Sequence, residues 1–361
     1  MGIKSAFRTR FSYEKRRPFP YRSDMSEPSK SPDWLKPTPR GLYCEAGDFY
    51  VDPVYPVERA VITHGHSDHA RAGHGAVLAT PETLAIMRQR FGENAGGSHQ
   101  PLAYGEAISL GGVDVKLVPA GHILGSAQAV LDYRGSRIVV SGDYKRRADL
   151  TCPPFEPQPC DVFITEATFG LPVFRHPPDT EEIDKLLHSL KLFPERAHLV
   201  GTYALGKCQR VITLLRRQGY EEPIYLHGAL QACCKTYQDF GVELGALLPV
   251  LGTTKDELRG KIVLAPPSAA TEPWARRLPD ALVAQASGWM RVRQRARQRG
   301  VELPLVISDH ADWDELLATI DEVKPGEIWI THGAEEALLR QAGLMGYRAR
   351  ALSLVGFEEE D

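Results

Sequence analysis

The chain has 361 residues, 43% of them hydrophobic and 25% charged, the proportions of a globular protein long enough for two domains. A net charge of −3 excludes a globally basic nucleic-acid binder, so any such contact must come from local patches. No apolar run approaches the roughly 20 residues that cross a bilayer, and the six cysteines (Cys44, Cys152, Cys160, Cys208, Cys233 and Cys234) form no Cys-x-x-Cys pair, which excludes a zinc ribbon or a disulfide framework; with no secretory signal, the expectation is a protein of the reducing cytoplasm with no membrane partner.

Residues 1–32 read as a solvated basic tail, with Lys4, Arg8, Arg10, Lys15, Arg16, Arg17 and Arg22 among prolines and serines. A nucleic-acid-binding arm is the alternative, and Met25 offers a second start that would make the first 24 residues an upstream extension. From Trp34 the chain turns compact. Gly41–Cys44 and Phe49–Val51 read as short strands joined by a Gly-Asp turn, with Asp52 closing the second. The apolar run Ala60-Val61-Ile62 then leads into Thr63-His64-Gly65-His66-Ser67-Asp68-His69. In an extended chain His64 and His66 point to one side, and Ser67 or Asp68 is placed to cap a helix that follows. Three imidazoles and a carboxylate suit zinc-like divalent metals, and two neighbouring ions suit them better than one closed site. Thr80-Pro81-Glu82 opens a helix with Leu84, Met87 and Phe91 as its apolar stripe.

Further on, one theme recurs. The alternating Val113, Val115 and Leu117 run out to His122; Arg137–Val140 ends at Asp143; Asp161–Ile164 ends at Glu166; Leu303–Ile307 ends at Asp309-His310; and Glu327–Ile330 ends at His332. With the run before His64, six strands each deliver an Asp, Glu or His just past their C-terminal ends. This predicts strand ends converging on one edge, where open α/β sheets hold ligands. Between Glu166 and Asp309 lies a different block, with strands over 198–202, 223–226 and 261–264 and helical spacing over 206–218 and 229–240. Such alternation predicts a small parallel α/β domain inserted into the first. Within it, Gly201–Lys207 lacks the Ser or Thr that completes a phosphate loop, since Cys208 follows the lysine; a helix N-terminus that presents Lys207 to a nucleic-acid phosphate is the better reading. Arg291, Arg293, Arg295, Arg297 and Arg299 fall at every second position. As a strand they would line one face as a phosphate rail, and as a helix they would spread around it.

Together His64, His66, Asp68, His69, His122, Asp143 and His332 are the inventory of a two-metal site with one bridging carboxylate, of the kind that clamps both oxygens of an in-line phosphoryl displacement. The motif His64-x-His66-x-Asp68-His69, followed by His122 and Asp143, resembles the metallo-β-lactamase fold, an αββα sandwich. Glu166, His310 and His332, with an α/β insert between the first two, resemble its β-CASP branch of nucleases. The resemblance covers roughly residues 38–350 and implies a tail over 1–32, a metallo-β-lactamase domain over 33–172 and 304–361, and a β-CASP domain over 173–303. Ser308–Trp313 and Gly41–Cys44 are similar to the bacterial DNA-ligase-associated exonucleases, which are in turn similar to pre-mRNA 3′-end cleavage factors.

What the resemblance implies for the site follows position by position. His64, His66 and His122 would hold one metal; Asp68, His69 and His332 the other; Asp143 would bridge. Asp52 would orient ligands, Glu166 would orient His310, and His310 would contact the scissile phosphate or protonate the leaving oxygen, making Asp68, Glu166 and His310 the expected catalytic set. The expected ions are two Zn²⁺, with Mn²⁺ the alternative. The implied function is a DNA exonuclease of repair acting with an ATP-dependent DNA ligase and a helicase, with Lys207, Arg291, Arg293 and Arg295 as nucleic-acid contacts. An RNA-processing nuclease is the alternative, since a histidine at position 332 is similar to the RNA-cutting members; a thioester or lactam hydrolase is a weaker one, because small substrates need no second domain.

Overall fold

The computed structural model describes residues 33–352; the tail expected over 1–32 lies outside them. A first sheet holds β1 (Leu35–Thr38), β2 (Gly41–Cys44), β3 (Phe49–Val51), β4 (Arg59–Val61), β5 (Ala76–Ala79) and β6 (His99–Pro101), side by side in chain order. The pairs from β1 to β3 are antiparallel hairpins, and those from β3 to β6 are parallel. Helix α1 (Pro81–Phe91) starts as its sequence dictates: the Thr80 hydroxyl accepts the Thr83 N–H, and Pro81 occupies the first turn, where its missing N–H costs nothing.

The second sheet contains β7 (Ala107–Leu110), β8 (Val113–Pro119), β9 (Ala127–Tyr133), β10 (Ser136–Val140) and β11 (Val162–Ala167). Side chains alternate faces along a strand, and the core divides accordingly. Val162 and Ile164 point into the layer between the sheets with Leu42, Val51, Leu117 and Ile138. Phe163, between them, packs on the opposite face with Val130 and Val139.

After β11 the chain builds the insert: α2 (Asp179–Leu192), β12 (His198–Gly201), α3 (Lys207–Arg217), β13 (Ile224–Leu226), α4 (Gly228–Asp239), β14 (Leu247–Pro249), β15 (Ile262–Ala265), β16 (Leu282–Ala286), α5 (Arg293–Gln298) and β17 (Leu303–Leu305). Its six strands run parallel in the order β14-β13-β15-β12-β16-β17. Helices α2, α3 and α4 cover one face through Ile183, Leu186, Val211, Leu215, Leu230 and Tyr237. Because β17 pairs with β16, residues 304 and 305 lie in the inserted sheet, slightly past the expected return to the sandwich.

The chain then re-enters the second sheet with α6 (Trp313–Val323), β18 (Glu327–Gly333), α7 (Glu335–Leu344) and β19 (Arg348–Ala351), giving the order β19-β18-β11-β10-β9-β8-β7. Trp313, Leu316, Ile320 and Leu338 bury its outer face, as Leu84 and Met87 of α1 bury that of the first sheet. The result is the αββα sandwich with an inserted parallel α/β sheet that the sequence predicts. Among the described residues no helix is long and apolar enough to cross a membrane.

Candidate metal centre

The histidine-rich segment leaves the sheet directly. The Ile62 N–H still bonds Leu78 O, and then the chain tightens into a turn closed by the Ala70 N–H to His66 O at 2.7 Å. No helix begins at Ser67 or Asp68, contrary to expectation; a turn suffices to bring His64, His66, Asp68 and His69 to one side. His122 arrives from the loop after β8 and Asp143 from the loop after β10.

Each of four imidazoles is held by one ring nitrogen and turns the other toward a common point. His64 Nδ1 lies 3.1 Å from Thr63 Oγ1, His69 Nδ1 is 2.8 Å from Asp52 Oδ2, His122 Nδ1 is 2.9 Å from Asp309 O, and His66 Nε2 is 3.2 Å from Leu205 O. Such outer partners set tautomer and ring angle at metal sites. Asp52, which also accepts the Thr63 N–H and hydroxyl, takes this orienting position. The inward atoms cluster around Asp143 Oδ2, which is 3.4 Å from His64 Nε2, 3.5 Å from His69 Nε2 and 3.8 Å from His122 Nε2. His66 Nδ1 and His122 Nε2 are 3.0 Å apart, and Asp68 Oδ2 is 3.5 Å from His69 Nε2.

These separations test the fit to a metal. Ligand atoms bound tetrahedrally at about 2.0–2.1 Å lie roughly 3.3–3.4 Å apart, which matches the cluster. His64 Nε2 and Asp68 Oδ1 are buried without a hydrogen-bond partner, an unfavourable state that a cation relieves. The inward atoms of His64, His66, His122 and Asp143 fall within 4.8 Å of one another, as do those of His69, Asp143 and His332, and those of His64, Asp68 and His69. Asp143 belongs to the first two groups, the position of a bridge. The set fits divalent metal.

Electrostatics agree. Burial pushes the His64 and His122 pKa values well below the usual imidazole range, and burial takes His332 down to about 3, so all three are neutral and able to ligate. Around His69 burial acts the same way, but the charges of Asp143, Asp68 and Asp52 outweigh it and raise its pKa. Burial opposes ionisation of Asp143 too, yet the charge of His69 and the imidazoles of His64 and His69 close beside its carboxylate hold it well below the carboxylate range.

His332 reaches the centre by an irregularity. Along the β11–β18 pairing, Glu166 faces Thr331 and Ala167 faces Gly333, so His332 is an extra residue in the ladder. Its φ is +60°, a left-handed conformation costly for a non-glycine. A bulge of this kind re-aims a side chain, and here it brings the ring to 5.2 Å from that of His69.

Across the cleft, His310 Nδ1 lies 3.0 Å from Glu166 Oε2, whose other oxygen accepts the Tyr144 N–H at 2.7 Å. Burial lowers the His310 pKa, but Glu166 and Asp143 more than compensate and raise it to about 9. His66, Asp68, Asp143, His310 and His332 line a cleft that Lys207, from the first turn of α3, also enters.

The expected basic contacts divide. Lys207 is buried, with its Nζ 3.1 Å from Asp309 Oδ1. The alternating arginines form no strand: Gly288–Arg291 is a 3₁₀ turn and α5 begins at Arg293, so their spacing spreads them around a helix. Arg295 lies 4.2 Å over the Trp289 ring, Arg291 Nε bonds Val173 O at 3.4 Å, and Arg293 is exposed. Sequence reading passed over Trp289, Phe169 and Tyr203, which line the cleft; the signal for Trp289 was its place just after an apolar strand, the pattern that flagged the other site residues.

Comparison with known proteins accords with this geometry. Residues 305–351 match a family described as "Zn-dependent metallo-hydrolase RNA specificity domain", a stretch that carries both His310 and His332. A protein named "Probable DNA ligase" from Opitutus terrae is 29% identical over 313 residues, 84% of this chain and 30% of that protein. Over these stretches the chain is similar to the metallo-β-lactamase/β-CASP family. Likewise, a ribonuclease of Thermus thermophilus is 31% identical over 47% of this chain and 46% of its own length, and the endoribonuclease YSH1 of Mycosarcoma maydis is 26% identical over 51% of this chain and 26% of its own. The chain therefore spans under half the length of these relatives. A crystal structure of a protein of unknown function from Enterococcus faecalis is similar in fold alone, with a TM-score of 0.54 and 15% identity over 85% of this chain and 81% of that one.

Proposed function

We propose that this chain is a two-metal nuclease hydrolysing phosphodiester bonds of DNA, an exonuclease of DNA repair acting with an ATP-dependent ligase and a helicase. The observation that carries the hydrolase reading is the placing of Asp143 Oδ2 among three inward imidazoles, with His310 facing the same cleft. In this reading His64, His66 and His122 would hold one ion, Asp68, His69 and His332 would hold the other, and Asp143 would bridge; zinc is the expected metal and manganese the alternative. When bound, such a pair supplies a nucleophile at neutral pH and charge stabilisation for the displaced phosphoryl oxygens. The chain's own residues do the rest. Asp52 fixes the His69 tautomer. Glu166 holds Nδ1 of His310 and keeps the ring protonated at neutral pH, so that His310 binds a phosphate oxygen or gives a proton to the leaving oxygen. Lys207, neutralised by Asp309 in the free protein, adds a cation on the insert side of the cleft.

DNA is supported by the match along most of this chain to a protein named for DNA ligation. RNA is supported by the RNA specificity domain over 305–351 and the ribonuclease relatives. Parallel digestion of end-labelled single-stranded DNA, duplex DNA and RNA of one sequence, with zinc or manganese, tests both. Stepwise shortening of DNA is the expected result. Cleavage of RNA alone would overturn the DNA assignment, and turnover of a thioester with no polynucleotide cleaved would overturn the nuclease.

A further inference from the structure

We infer that Trp289 is a stacking platform for an unpaired base of a single-stranded polynucleotide, set beside the reaction centre. The inference rests on the nuclease reading and names the form of nucleic acid that the cleft takes.

Trp289 lines the cleft and is half-buried, whereas Phe169 and Phe174 behind it are buried. Its ring is held on several sides. Phe169 lies 4.9 Å away, Phe174 meets it at 87° and 5.0 Å, and the Arg295 guanidinium lies 4.2 Å over it. Phe169 also contacts the His310 ring, 6.1 Å between centroids, so the tryptophan stands one aromatic ring away from the proposed proton donor. The backbone is shaped to put it there. Gly288 presses on Phe169, since a Cβ added to it would fall 2.3 Å from Phe169 Cζ, and the Ser287 hydroxyl accepts the Trp289 N–H at 3.3 Å.

Charge identifies the occupant. From Ala281 to Val301 the chain carries five arginines and no carboxylate, and Arg293 and Arg297 are exposed. An indole on a cleft wall at the head of an arginine-rich segment matches a strand whose bases are flat and whose backbone is anionic. A base inside a duplex has both faces covered by its neighbours and is not available to such a ring unless flipped out.

The test uses the full-length protein without metal, in chelator, so that binding is read apart from cleavage. Oligo-dT and oligo-U of about 12 nucleotides, a length one single-strand groove accommodates, are titrated by polarisation and by tryptophan fluorescence, alongside an abasic strand of equal length. The wild type should show quenching and prefer strands with bases. Trp289→Ala should lose the quenching, bind about 5- to 150-fold more weakly, and no longer distinguish normal from abasic strands; Trp289→Phe should retain most of the affinity, which separates stacking from a folding defect. The dT and U arms report which polynucleotide is preferred. If Trp289→Ala discriminates against abasic strands as the wild type does, the platform is wrong while the nuclease stands. If the wild type binds neither strand and, with metal restored, cleaves neither, both readings fall.

Discussion

His332 stands in a left-handed conformation at a bulge, a costly state for a non-glycine residue that puts its ring 5.2 Å from that of His69. His332→Ala should lower the metal content from two ions per chain to one, measured by atomic emission on dialysed protein; two ions retained would remove it from the ligand set. Asp143→Ala should lose both metal and cleavage, because the inward imidazoles converge on its carboxylate; bound metal with a full rate would refute the bridge. His310→Ala should keep its metal and lose about 10²- to 10⁴-fold in rate. The His310 pKa is raised to about 9, so its proton is present at neutral pH and lost as pH rises through that value, and the rate should fall there. Removing the Glu166 charge by Glu166→Gln lowers the His310 pKa, so the same fall should move to lower pH; a pH–rate profile with an unmoved limb would count against the pair.

Between elements, the sandwich and the insert are joined by buried charge. Arg210 of α3 is buried and pairs with Asp149, in the segment after β10, and with Asp179 at the start of α2, 2.7 Å away. Burial opposes the charge of Asp179, but Arg210 and Lys145 hold its pKa down. Removing one partner of such a set leaves buried charge unpaired. Arg210→Met should therefore cost about 3–5 kcal/mol in urea unfolding; a loss below about 1 kcal/mol would mean the network is not stabilising as drawn. Because the Asp179 pKa is depressed on folding, its contribution is complete above the unfolded carboxylate range and is lost as pH falls through the folded value. The variant should show a weaker acid-dependent loss of stability. Some elements were legible in sequence and others were not. The Thr80-Pro81 start of α1 and the alternation in β8 carry local signals strong enough to read. Helix α6 carries its own local signal too, the capping box of Asp312 and Glu315, which sequence analysis does not use. The arginine repeat is ambiguous by nature, since period two fits a strand and packing of Ala296 and Met290 chose the helix.

At the scale of the molecule, the insert completes the centre as well as covering it. Leu205 O of the insert fixes His66, and Asp309 O, just past the insert's last strand, fixes His122, so the orientation of these imidazoles and the seating of the two domains are linked. Adding zinc to metal-free protein should raise Tm with the logarithm of its concentration, by about 2.7 kcal/mol of stability at a hundred times Kd, and Asp143→Ala should show no such rise in calorimetry; an equal shift in both would mean the ion binds elsewhere. The ligand types, their order along the chain and the strand before each were determined by the sequence alone, because donor chemistry and alternating hydrophobicity are local properties. Distance was decided only by the tertiary structure: which imidazole nitrogen faces inward, the bulge that aims His332, the pairing of Lys207 with Asp309, and the approach of Trp289 to the cleft through Phe169. Each depends on segments far apart in the chain being packed together, and no spacing rule within one segment encodes that.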